Sequence, residues 1–142
     1  MTAGSGEEHK RLKFAVMKHL GSKPWCRIWP KETGHGVAGG AWISVVHNGR
    51  RKQALVDGRR ITFGIKGGAD TDGVLKPDGR RLEVECKTGG ARQSKQQKSF
   101  EKMITEFGGL YYVVRSTGDP DAAAAELAAA VELEVTARGW QG

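Results

Sequence analysis

The spacing of apolar positions changes along this chain, and each change marks an element. Leu12, Ala15, Val16 and Leu20 recur at helical spacing and Gly21 follows them. A helix is therefore expected over Glu7–Leu20, after a disordered lead at residues 1–6. Trp25–Trp29 lies between Pro24 and Pro30 and reads as a strand, and the glycine-rich Thr33–Gly40 reads as a flexible loop. From 41 to 65, apolar stretches alternate with Asn48-Gly49 and Asp57-Gly58. Asn-Gly and Asp-Gly are strong hairpin signals, so a β-meander is expected there. Leu82, Val84 and Cys86 alternate with Glu83, Glu85 and Lys87, which gives a strand one apolar and one charged face. Pro77-Asp78-Gly79 is a turn signal before it, so 72–75 and 81–87 should pair as a hairpin. Ser94 opens a second helix, with Gln97, Phe100, Ile104 and Phe107 as the stripe facing the sheet. Gly108-Gly109 ends it, and Leu110–Val114 reads as a short buried strand. Asp119-Pro120 starts an Ala-rich helix with Leu127, Val131 and Leu133 as its seam, and Trp140 is a candidate packed cap.

This order of elements is α/β, and 142 residues suffice for one domain with a single core. The net charge of +7 favours an anionic partner, nucleic acid before a membrane surface. No run of about 20 apolar residues exists to span a membrane. Met1–Glu8 lacks the cationic–apolar pattern of a signal peptide. Cys26 and Cys86 are far apart and form no Cys-x-x-Cys, so they read as reduced core thiols of an intracellular protein rather than zinc ligands.

The candidate chemistry lies on the charged strand face. If the hairpin forms, Asp70 and Glu85 emerge at one end of the sheet with Lys87 beside them. Two carboxylates and a lysine suit a hard cation such as Mg²⁺, which takes oxygen ligands and keeps several waters. Asp70, Glu85 and the Cys86 carbonyl could hold it, while Lys87 orients the attacking water. A strand of alternating charges is more often a plain solvated face. The order Gly67-Gly68-Ala69-Asp70, then Glu85-Cys86-Lys87, then Ser94-Lys95-Gln96-Gln97, then Gly108–Ser116, is more specific.

From about Ile61 to Ser116, that order resembles the PD-(D/E)XK nucleases, and within them the small stand-alone, phage-type members of the VRR-NUC family. Ala69 stands where proline often precedes the first acid, and no Asn occurs between Trp25 and Gly40, where the family's glycine loop usually has one. The resemblance implies a central mixed β-sheet flanked by helices, with the hairpin after residue 41 as an insertion. It implies a Mg²⁺- or Mn²⁺-dependent endonuclease acting on DNA, with branched substrates such as Holliday junctions favoured. A homodimer in the cytoplasm of a bacterial or phage-infected cell is implied as well. Asp70, Glu85 and Lys87 fall on the family's catalytic positions and Gln97 on its helix glutamine. A first-helix glutamate near the metal points to Glu8. Glu8 could equally be an ordinary acid in a helix's first turn, and Gln97 an ordinary capping-box residue. The rival function is a nuclease fold that binds nucleic acid without cutting it.

Cations cluster where DNA could be gripped. Arg50, Arg51, Arg59 and Arg60 lie at the two hairpin turns, with Lys52 beside them, and Lys95 and Lys98 at the second helix's start. Each could contact phosphate, or the turns could carry cations only to protect a sheet edge. His35 could reach substrate, whereas His9 and His19 read as surface or half-buried residues. Arg115 and Ser116 could line the site or cap the strand.

Overall fold

The computed structural model describes residues 5–31, 34–63, 65 and 67–142. Its elements in order are α1 (Ser5–Gly21), β1 (Cys26–Pro30), β2 (Gly34–Ala38), β3 (Ala41–His47), β4 (Arg50–Val56), β5 (Arg59–Phe63), β6 (Thr71–Leu75), β7 (Arg80–Thr88), α2 (Lys95–Glu106), β8 (Leu110–Ser116) and α3 (Pro120–Ala137). They divide into two compact units, residues 32–65 and the remainder. Met1–Gly4 of the expected lead lie outside the described residues, and Ser5 and Gly6 already belong to α1.

The larger unit is a mixed sheet flanked by helices, with strand order β1–β6–β7–β8. β1, β6 and β7 pair antiparallel, and β8 runs parallel to β7 after the crossover through α2. Leu82, Val84 and Cys86 of β7 are almost fully buried, in the core they share with Leu12, Val16 and Leu20 of α1 and with Ala124, Leu127, Val131 and Val135 of α3. Side chains such as Leu12, Leu20 and Leu82, at 0% exposure, each contribute about 1.5–3 kcal/mol by leaving water. Trp25 completes this layer and Trp140 packs against it. On the opposite face the apolar contact is small: Ala69, Phe100 and Ile104, with Met103 and Tyr111 against them. Most of that face is polar, which leaves the charged row of β7 room to do something else.

Two residues expected in helix seams lie outside them. Phe107 is 86% exposed because it is the C-cap of α2, where φ −85° and ψ 7° turn the chain out of the helix. Leu133 is 74% exposed because the buried stripe of α3 runs Ala124, Leu127, Ala128, Val131, Val135. Two residues past Val131, a side chain points to roughly the opposite side of a 3.6-residue helix.

The smaller unit corrects two expectations. The stretch expected as a loop contains β2, and β5 pairs with β2 rather than continuing a meander from β4. The β3–β4 ladder starts at Ala41↔Val56 and the β2–β5 ladder ends at Ala38↔Arg59, so both keep one register across Gly39-Gly40 and Asp57-Gly58. Residues 34–63 thus form one long two-stranded ribbon. At the interruption a Cβ on Gly40 would lie 2.5 Å from the Val56 carbonyl oxygen, so only glycine fits. The far turn is Asn48-Gly49, with φ of 50° and 73°, as a type I′ turn requires.

Candidate active site

β6 and β7 bring the candidate residues together. Thr71 pairs with Val84, so the next position outward sets Asp70 opposite Glu85. Period two along β7 puts Arg81, Glu83, Glu85 and Lys87 on the face toward α2. α2 approaches with its first turn, capped by Ser94.

Asp70 stands just before the first residue of β6 and is held from three directions. Its Oδ2 accepts from the Cys86 N–H at 2.8 Å. His9 Nε2 lies 3.2 Å from its Oδ1. Its main-chain carbonyl accepts from the Lys31 N–H at 3.0 Å. Glu85 is 4% exposed. Its Oε1 accepts from Gln97 Nε2 at 3.0 Å and lies 3.5 Å from Lys87 Nζ. Lys87 also donates to Gln97 Oε1 at 2.9 Å. Gln97 therefore links the lysine to the glutamate. It closes the capping box too, because its Oε1 accepts from the Ser94 N–H and its own N–H donates to the Ser94 hydroxyl. The cap and the site contact coexist in one side chain.

A glycine permits this approach. Gly67 has φ +84°, and a Cβ there would stand 2.5 Å from the Gln96 carbonyl oxygen. The turn before Asp70 thereby packs directly on the first turn of α2.

The two acids lie close enough to repel each other. Burial, then the charge of Asp70, pushes the Glu85 carboxyl up to about 7, against the opposing pull of Lys87. A divalent cation between the two acids would remove that cost. No group of three or more His, Cys, Asp or Glu positioned to hold a metal occurs among the described residues. The donor set is two carboxylates, to which the Cys86 carbonyl can add. That fits Mg²⁺ or Mn²⁺, which complete their shells with water and substrate oxygens.

Glu8 is exposed. It lines a cavity of about 610 Å³ with Arg11, Thr88, Gly89, Ser116 and Thr117. His9, one residue on, is the α1 side chain that meets Asp70. Lys95 and Lys98 are exposed on the first turn of α2, and Arg50 and Arg51 are exposed at the ribbon's far turn. The side chains of His35, Arg59 and Arg60 lie outside the described part. Arg115 donates to the Gly89 and Ala91 carbonyls at 2.7 and 2.6 Å, fastening the loop that follows Lys87. Both cysteines are free and buried.

A second charged group has no local signature in the sequence. Asp72 and Glu83 face each other one rung further along the same sheet face. Lys31 Nζ lies 3.2 Å from Asp72 Oδ1 and 3.7 Å from Glu83 Oε2. Arg81 closes the other side, 2.7 Å from Glu83 Oε1 and 3.4 Å from Asp72 Oδ2. Burial and the Asp72 carboxylate push Glu83 up to about 7. The alternation of β7 put Glu83 on the charged face. Nothing local in the sequence tied Lys31 to it.

No protein-family model matches this chain, and no curated protein matches it. Among the described residues no helix is long and apolar enough to cross a membrane.

Proposed function

We propose that this protein is a divalent-metal-dependent endodeoxyribonuclease with a PD-(D/E)XK nuclease-like fold, similar to the VRR-NUC family, in which the β3–β4 part of the ribbon is an insertion. The observation that carries the reading is the meeting of Asp70, Glu85, Lys87 and Gln97, from the turn before β6, from β7 and from the start of α2. Glu85, Lys87 and Gln97 are joined by contacts that a solvated strand face would not need, and the Cys86 N–H between Glu85 and Lys87 holds Asp70 beside them.

In this reading Asp70, Glu85 and the Cys86 carbonyl would hold Mg²⁺ or Mn²⁺. When bound, the metal supplies Lewis acidity at the phosphate and lowers the pKa of a water. Lys87 donates toward the scissile phosphate and the attacking water. Gln97 holds Lys87 and Glu85 at a fixed separation, so the lysine is aimed before substrate arrives. Cations at Arg50, Arg51, Arg59, Arg60, Lys95 and Lys98 contact the DNA backbone. Branched DNA, such as a Holliday junction, is the proposed substrate, cut by a homodimer inside a bacterial or phage-infected cell.

The test is Mg²⁺-dependent nicking of supercoiled plasmid and cleavage of a four-way junction. Asp70→Ala and Glu85→Ala should abolish cutting and keep metal-free DNA binding. Lys87→Ala should slow it by about 10²–10³-fold, the scale for removing one preorganised charge stabiliser. Wild-type rates from Lys87→Ala would remove the site assignment. A gel shift in EDTA without any cutting in Mg²⁺ would favour a binding module instead.

A further inference from the structure

We propose that Lys31 is a positioning residue for the Asp70–Glu85 pair, acting through its main chain on Asp70 and through its side chain on the rung behind. The proposal rests on the metal-site reading above. Asp70 precedes the first residue of β6, so its backbone lies outside the strand that fixes its neighbours. The Lys31 N–H, donating to the Asp70 carbonyl at 3.0 Å, is what ties that backbone to the end of β1.

Lys31 is itself immobilised. Its side chain is 9% exposed, its Nζ lies between Asp72 and Glu83 at 3.2 and 3.7 Å, and the Phe100 ring of α2 covers it at 4.3 Å. Asp72 and Glu83 are two residues from Asp70 and Glu85 on their respective strands, on the same face. Two acidic rungs in succession would repel each other and splay the strands. Lys31, with Arg81 from the far side, supplies the opposing charge.

Stability alone is a poor reason for this arrangement. Buried ion pairs commonly do no better than apolar side chains of similar volume. Here, among the described residues, Lys31 Nζ, Asp72 Oδ1 and Glu83 Oε2 are buried with no partner in hydrogen-bond geometry, which is costly. The cluster does, however, set where three backbone segments lie: the end of β1, the start of β6 and the middle of β7. Those are the segments that place the two carboxylates.

The test measures metal binding directly, by calorimetric titration of Mn²⁺ into the metal-free, DNA-free chain, and then kcat and KM for nicking. The variants are Lys31→Met and the charge-balanced pair Lys31→Gln with Glu83→Gln. Both should bind Mn²⁺ at least about tenfold more weakly, the scale seen when a group supporting a metal ligand is removed. kcat should fall with KM for DNA unchanged, and raising Mn²⁺ should recover part of the activity. A merely structural role would lower the melting temperature and leave Mn²⁺ affinity alone. The proposal is overturned if either folded variant binds Mn²⁺ within twofold of wild type. It is overturned as well if neither variant folds, since the cluster is then purely structural. A wild-type chain that binds no Mn²⁺ removes the metal site itself, and the role of Lys31 with it. Wild-type binding with unchanged variants removes the role of Lys31 alone.

Discussion

Gln97→Glu separates two jobs that one side chain performs. A glutamate keeps the capping box, because Ser-x-x-Glu satisfies the same two backbone donors. Its oxygen can still accept from the Ser94 N–H and from Lys87, as Gln97 Oε1 does at 2.8 and 2.9 Å. What it cannot do is donate to Glu85 Oε1, the 3.0 Å hydrogen bond made by the amide nitrogen. A hydrogen bond to a charged group contributes about 1.5–3 kcal/mol. If that bond holds Glu85 in place for catalysis, its removal corresponds to about 10- to 150-fold in rate. Repulsion between two carboxylates at this spacing slows the reaction further, while Lys87 between them offsets part of it. The expected result is helix content near wild type by circular dichroism, with plasmid nicking at saturating Mg²⁺ slowed by at least tenfold. Gln97→Ala serves as the companion, removing both the side-chain half of the capping box and the bond to Glu85 and so lowering stability as well. Wild-type cleavage by Gln97→Glu would mean that Gln97 only caps α2, and the site would shrink to Asp70, Glu85 and Lys87.

Gly67→Ala should displace the first turn of α2, because the added Cβ would stand 2.5 Å from the Gln96 carbonyl oxygen at a φ of +84°. A lower melting temperature and slower cleavage together are expected, and an unchanged variant would show that the approach of this turn to α2 is not tight. Arg50→Ser with Arg51→Ser should weaken duplex binding in EDTA and flatten its log–log salt dependence by about 0.9 for each phosphate no longer neutralised. Parallel salt titrations of equal affinity would instead make the ribbon turn a solvated edge. The proposed homodimer predicts a mass by light scattering of twice the 15.4 kDa chain, and a species of 15.4 kDa alone at micromolar concentration removes it.

Local signals determined a large share of this protein. The 3.6-residue stripe Leu12, Ala15, Val16, Leu20 sufficed to place α1, because a helix's buried face is written in its own spacing. Period two along β7 sorted its apolar from its charged face, and the Pro-Asp-Gly turn fixed its pairing with β6. Those two facts together put Asp70 opposite Glu85. The tertiary structure decided whatever depends on partners distant in the chain. β2 is poor in side chains that favour a strand and exists as one through its ladder with β5, so its sequence reads as a loop. Leu133 and Phe107 are apolar, but the packing of α3 and the end of α2 left them in water. The α1 residue that meets Asp70 is His9 rather than Glu8, because neighbours on a helix point about 100° apart and docking alone selects between them. Lys31 is the plainest case. A lysine after a proline carries no sign of burial. Only the fold could set its ammonium between Asp72 and Glu83, because a charge leaves water when opposite charges from other strands are already assembled to receive it.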